Sequence, residues 1–158
     1  MHHWAINASG EAWLPKKGGD ITVKTTGTAR GFDPAAFGAP LAGSINGSFD
    51  ASGHLGKEWA GNAAVNLQQS TLQDAPLWGH ARVAGSARGI SNADVDLHVN
   101  PNVLAARGAF GAPADRLDWR IHAPQLAVLG GDFGGAFSGS GTLSGNAQAS
   151  ALTAALEG

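Results

Sequence analysis

From Ser44 to Leu55 the chain alternates without a break between two kinds of side chain. Ile45, Gly47, Phe49, Ala51, Gly53 and Leu55 fall on one phase, and Ser44, Asn46, Ser48, Asp50, Ser52 and His54 on the other. A period of two over twelve residues fits a strand with one apolar and one wetted face, and it excludes a helix over the same stretch.

The pattern recurs along the chain. Trp59, Gly61, Ala63, Val65 and Leu67 alternate with polar residues, as do Val95, Leu97 and Val99. So do Leu117, Trp119, Ile121 and Ala123, and then Phe137, Gly139, Gly141 and Leu143. Trp4, Ile6 and Ala8 begin the same way, followed by Ile21 and Val23. Turn chemistry separates the runs at residues 14–20, 73–76, 100–102 and 111–115. The expected fold is all-β, with about ten strands joined by short loops. One short helix is expected near residues 33–38, where Asp33 can cap, Pro34 can start and Gly38 can stop it.

Glycine and alanine, 24 and 30 residues of 158, carry much of the apolar phase. A densely packed sandwich would want Val, Ile and Leu at Gly47, Gly53, Gly61, Gly139 and Gly141. Small residues there permit close backbone approach in a strongly bent sheet, or leave room for a ligand; periodicity alone does not separate the two. Trp59, Trp119, Phe49, Phe110 and Phe137 are in phase and can pack or line a groove. Trp13 and Trp78 are out of phase, which suits a rim, a partner contact or a phase-shifting bulge.

Several functions are disfavoured. Ten Lys+Arg against twelve Asp+Glu, a net charge of −2, does not make the basic stripe a nucleic-acid binder needs. Without cysteine there is no disulfide framework, thiolate metal site or thiol nucleophile. No apolar run reaches the roughly 18–20 residues of a membrane span, and Met1-His2-His3-Trp4 does not open a signal peptide. His54, His80, His98 and His122 are scattered on polar phases, and only His2 and His3 are adjacent, so no metal site is expected. Asp94 and Asp96 share an outward face and read as a solvated pair. Gly139-Ser140-Gly141 is no nucleophile elbow, and the run 130–135 lacks a P-loop lysine. No cofactor is implied.

The chain also echoes itself. Gly43-Ser-Ile-Asn-Gly47-Ser-Phe-Asp-Ala-Ser-Gly53 matches Gly135-Ala-Phe-Ser-Gly139-Ser-Gly-Thr-Leu-Ser-Gly145 at an offset of 92 residues. Residues 31–53 and about 127–145 thus outline a repeat, and residues 1–158 are expected to form one elongated segment of a longer protein.

Residues Gly31 to Gly53, with Asp115 to Pro124 and Gly134 to Gly145, resemble the repeats of the TamB family, the translocation and assembly module of Gram-negative bacteria. The resemblance implies a curled β-sheet, a β-taco, with a hydrophobic concave face, in the AsmA-like and bridge-like lipid-transfer group. It also implies a periplasmic location, an inner-membrane anchor outside this chain, and an outer-membrane barrel partner, TamA. This stretch would be internal or near the C-terminus of such a protein. The function it implies is non-enzymatic carriage of phospholipid acyl chains between the two membranes. The groove would be lined by Ile45, Phe49, Leu55, Trp59, Val65, Leu67, Val95, Leu97, Val99, Leu117, Trp119, Ile121, Phe137 and Leu143. Two alternatives stand: a chaperone-like trough for outer-membrane proteins, and a structural β-repeat of a secreted adhesin. Ten strands at about 4.8 Å each would give a trough of roughly 45–50 Å.

Overall fold

In a computed structural model, which describes residues 5–14, 19–130 and 134–158, the alternating runs become strands of one sheet. The strands are β1 Ala5–Trp13, β2 Ile21–Phe32, β3 Gly43–Leu55, β4 Ala60–Leu72 and β5 Ala75–Ser86. They continue with β6 Gly89–Val99, β7 Asn102–Phe110, β8 Arg116–Ala123, β9 Phe137–Gly145 and β10 Ser150–Glu157. Their order in the sheet is their order in the chain, and every neighbouring pair is antiparallel. A meander of this kind needs only short hairpin connections. His2, His3 and Trp4 lie outside the described residues, as do Pro15–Gly18 of the first loop and Gly131–Phe133 of the glycine run.

The expected helix is a single 3-10 turn, Pro34–Phe37. Asp33 Oδ1 accepts from the Ala35 amide at 3.0 Å, Pro34 needs no partner for its nitrogen, and Gly38 ends the turn at φ 83°. A second 3-10 turn, Leu126–Leu129, lies 92 residues further on, the offset of the glycine echo. Asp33 and Gln125 occupy the N-cap positions of the two turns, and Gly38 and Gly130 the C-cap positions. The order strand–turn–strand thus recurs at this offset in β2–β3 and β8–β9, although Gln125 makes no side-chain cap bond, Gly130 is not left-handed as Gly38 is, and only the first pair carries a bulge.

The structure corrects some boundaries. Residues 73–76 are not all loop. Gln73 and Asp74, at φ 49° and 63°, form a two-residue hairpin turn, and Ala75-Pro76 already belongs to β5. Asn102 likewise begins β7. Trp59 lies in the β3–β4 connection, one residue ahead of β4. Strands β5, β7 and β10 carry no run singled out from the sequence. In β5, Trp78 interrupts the polar phase. In β7 and β10, Val103, Ala105, Ala151 and Ala155 put small or apolar residues on both phases.

Three bulges shift the phase, near Gly31 in β2, near Gln69 in β4 and near Ser91 in β6. Each bulge admits one extra residue and bends its strand. At Gly31, φ 61° and an amide bonded to Asn46 Oδ1 at 2.8 Å show how the extra residue is satisfied. No bulge accompanies Trp13, which stays in the regular alternation on the polar face and pairs with Thr22. Trp78 also keeps to the polar face, paired with His98, but it stands opposite the β4 bulge, between the pairs Leu67–Gly79 and Ser70–Leu77.

The sheet is curled and open. Cα atoms of β7 and β9 come within 8 Å across β8, closer than the roughly 9.6 Å of two flat strand spacings. At one end the Gly111 amide bonds Gly145 O at 3.0 Å, joining the ends of β7 and β9 directly. The accessible surface is 10240 Å², whereas a compact monomer of this mass would expose about 7,350 Å². No side chain is fully buried among the described residues, so the sheet has no second layer of its own over its apolar face.

Candidate functional site

The strand register assembles the in-phase residues into continuous rows across one face. One row runs Ile6, Ala29, Gly47, Leu67, Gly79, Leu97, Leu104, Ile121, Gly139, Leu156. The next runs Ala8, Gly27, Phe49, Val65, Ala81, Val95, Ala106, Trp119, Gly141, Ala154. No Asp, Glu, Lys, Arg or His of any described strand falls on this face. Its polar side chains are Thr25, Ser70, Asn102 and Ser150. The well-buried residues Ala75, Leu77, Ala93, Ala123, Ser70 and Asn102 all lie on it, as expected of the inner side of a curl.

The buried polar groups on this face are satisfied. Asn102 Nδ2 donates to Gln125 O at 2.9 Å, and its Oδ1 accepts from the Gln125 amide at 3.1 Å. The side chain thereby extends the β7–β8 ladder beyond Ala123. Ser70 Oγ accepts from the Asn46 amide at 2.8 Å at the β4 bulge.

The glycines answer the question left by their phase. A Cβ on Gly27 would stand 2.9 Å from Cε1 of Phe49, one on Gly47 3.2 Å from Cδ2 of Leu67, and one on Gly139 2.7 Å from Cδ2 of Leu156. Large side chains lie over neighbouring glycines, so close approach accounts for these positions. Elsewhere the floor stays open. Trp59, Gly61, Ala63, Val83, Gly85 and Ile90 line an almost wholly apolar depression of about 520 Å³.

The residues expected to line a groove do share this face. Phe49, Val65, Leu67, Val95, Leu97, Leu117, Trp119, Ile121 and Leu143 sit in its rows. Ile45 pairs with Phe32, Phe137 with Ala123, Leu55 with Ile21, and Val99 with Leu77. Trp59 walls the open depression from the connection before β4. Sequence reasoning missed Phe32, Leu72, Leu77, Val83, Ile90, Leu104, Leu152 and Leu156 on the same face. Phe32, Leu72 and Ile90 lie beyond bulges that reverse their sequence phase. Many of these side chains remain accessible to solvent, Val65 at 37 %, Leu104 at 40 % and Leu156 at 61 %.

The other face carries the charges. Asp94 and Asp96 both have partners on this face: Asp94 accepts from Arg107 Nε at 3.0 Å, with Arg82 at 3.8 Å, and His98 Nε2 lies 2.9 Å from Asp96 Oδ1. His80 Nε2 stands 3.4 Å from Asp94, long for a hydrogen bond. Partial desolvation works against the Asp94 charge, but Arg107 and His80 hold its carboxyl below the usual carboxylate range. The Trp78 ring stacks on His98 at 4.9 Å. Among the described residues no group of three His, Asp or Glu could hold a metal ion.

One curled antiparallel sheet, uncharged inside and charged outside, defines an open β-trough. The family model described as TamB, N-terminal domain, matches residues 18–158, and the chain belongs to the TamB family. That description names an N-terminal domain, where the repeat resemblance suggested an internal or near-C-terminal stretch. No curated protein and no solved structure matches the chain. No described helix is long and apolar enough to cross a membrane.

Proposed function

We propose that the inner face of this trough carries phospholipid acyl chains, as a non-enzymatic segment of a protein bridging the inner and outer membranes. The observation that carries the reading is the charge-free apolar face, continuous across ten strands and still accessible. A soluble protein leaves so large an apolar surface open only where something is to cover it. Each methylene laid on the face contributes about 0.8 kcal/mol, so contact area alone can hold a chain without any one residue being essential. Under the same reading the segment works in the periplasm, its anchor lies in another part of the protein, and TamA is the outer-membrane partner.

Native mass spectrometry with lipid extraction tests this on the purified chain and its Ile121→Asp variant. Phospholipid that co-purifies with the wild type and is lost from a still-folded variant is the expected result. A wild type free of lipid, with no uptake from added phospholipid, rejects it.

A second reading is a trough that assembles outer-membrane proteins by strand addition at its outermost strands. Strands β1 and β10 are exposed throughout, without proline or bulge, while all three bulges are internal. The Thr153 carbonyl turns toward β9, near Gly141, so by alternation the Ala154 amide turns outward. Ala154→Pro would block strand addition there and leave lipid carriage intact. A structural repeat of an adhesin would need a closed, dry core, and the inner face here is open.

A further inference from the structure

The 92-residue repeat has a counterpart on the outer face. Two shallow depressions lie there, of about 520 and 490 Å³, the first mainly polar and the second mixed. The first is lined by Thr28, Ala29, Arg30, Asn46, Gly47 and Ser48, together with amides from β4. The second is lined by Arg120, Ile121, His122, Ser138, Gly139 and Ser140, together with Val103 of β7 and Ala155 and Glu157 of β10. Adding 92 to the first six numbers gives the second six. Equivalent strands (β2 and β8, β3 and β9, β4 and β10) therefore build the same cradle twice.

The residue types differ between the copies, but the donor chemistry persists. Position 30 or 120 supplies a guanidinium, and His122 adds an imidazole to the second cradle. Thr28, Ser48, Asn66 and Gln68 surround Arg30; Ser138 and Ser140 stand beside Arg120. His122 Nδ1 is 3.0 Å from Ser138 Oγ, which fixes both side chains at the rim. These two arginines are also the uncommitted ones. Arg82 and Arg107 pair with Asp94, Arg88 with Glu58 and Arg116 with Asp118. Among the described residues the side chains of Arg30 and Arg120 enter no ion pair and no hydrogen bond.

We propose that these repeat-related depressions bind oxyanions of the phosphoryl class on the outer face, a role independent of acyl-chain carriage inside. An unpaired planar guanidinium flanked by hydroxyl and amide donors suits a phosphoryl group, whose oxygens accept from both. The first cradle has no carboxylate in its lining, whereas Glu157 stands in the second. Arg30 therefore anchors the tighter site and Arg120 the weaker one.

Amide NMR of the whole chain tests this by titration with sodium phosphate against sodium chloride at equal ionic strength. Saturable shifts are expected at residues 28–30 and 46–48, and weaker ones at 120–122 and 138–140. Arg30→Gln should weaken the first set about tenfold and leave the second unchanged, since it removes one charge-assisted donor. Arg120→Gln should do the reverse, and Glu157→Gln should tighten the second set. A soluble short-chain phosphatidylglycerol provides a further arm. Shifts from both probes identify a general phosphoryl oxyanion, and shifts from the lipid alone identify a headgroup. Shifts that chloride reproduces, shifts that persist in both arginine variants, or no shifts with either probe would overturn the proposal.

Discussion

The indole of Trp119 lies over Gly141, its register partner on the next strand. A Cβ on Gly141 would meet the Thr153 carbonyl oxygen of β10 first, and then Cζ2 of Trp119 at 2.9 Å and Cε2 at 3.0 Å. The largest side chain in its row thus rests on the smallest, and the glycine loses its usual penalty in a strand because an aromatic ring covers it. Gly141→Ala should destabilise the fold by about 1–3 kcal/mol through overpacking. Urea unfolding measures this. The Trp119→Ala background should relieve part of the loss, and equal losses in both backgrounds would show that the backbone of β10, not the indole, sets the limit.

The inner face should be unequal in what it contributes to stability. Leu77 is 8 % exposed and Leu156 is 61 % exposed. Leu77→Ala should cost about 2–4 kcal/mol, in the range of buried leucines, and Leu156→Ala well under half of that. The same comparison bears on lipid carriage. If the exposed residues hold acyl chains, Leu156→Ala should reduce lipid retained in native mass spectra while barely moving the urea midpoint.

Asn102 is the polar residue the inner face is least able to lose. It is 5 % exposed, and both ends of its amide are bonded to the backbone of Gln125. Asn102→Ala should cost about 1–3 kcal/mol by stranding that amide and carbonyl. Asn102→Asp keeps the size but sets a carboxylate against the Gln125 carbonyl. Its unfolding midpoint at neutral pH should fall below that of Asn102→Ala and recover as the pH drops through the carboxylate range.

Much of this architecture is legible because strand period and turn chemistry are local. Ser44–Leu55 and Arg116–Ala123 declare their faces, and Asp33-Pro34 with Gly38 declares its turn. Other parts depend on relations between strands. The bulge at Gln69 transfers Ser70 and Leu72 to the inner face against their sequence parity, and only the register with β3 and β5 reveals it. Strand β7 escapes notice because Val103 and Ala105 make its outer phase apolar too. The second meaning of the 92-residue echo is also invisible in one dimension. Thr28 and Arg120 do not look alike, and neither do Arg30 and His122; equivalent strands place them in equivalent cradles.

The outer-face charges should make the fold sensitive to acid in a particular way. Asp118 accepts from Thr142 Oγ1 at 2.6 Å and from Arg116 Nε at 2.9 Å, and Arg116 also donates to Thr142 at 3.0 Å. The Thr142 bond first, then Arg116, hold the Asp118 carboxyl below its ordinary value of 3.8. A carboxylate whose folded value is depressed adds stability that is present above the unfolded value and lost as the pH falls through the folded one. The urea midpoint of the wild type should therefore hold steady from pH 7 to about 5 and decline below about 4. Asp118→Asn should lower the neutral midpoint slightly, since the site is exposed and screened, and make the acid decline shallower. An acid limb that keeps the wild-type slope in Asp118→Asn would assign the sensitivity to other carboxylates, with Asp94 and its Arg107 partner the next to vary.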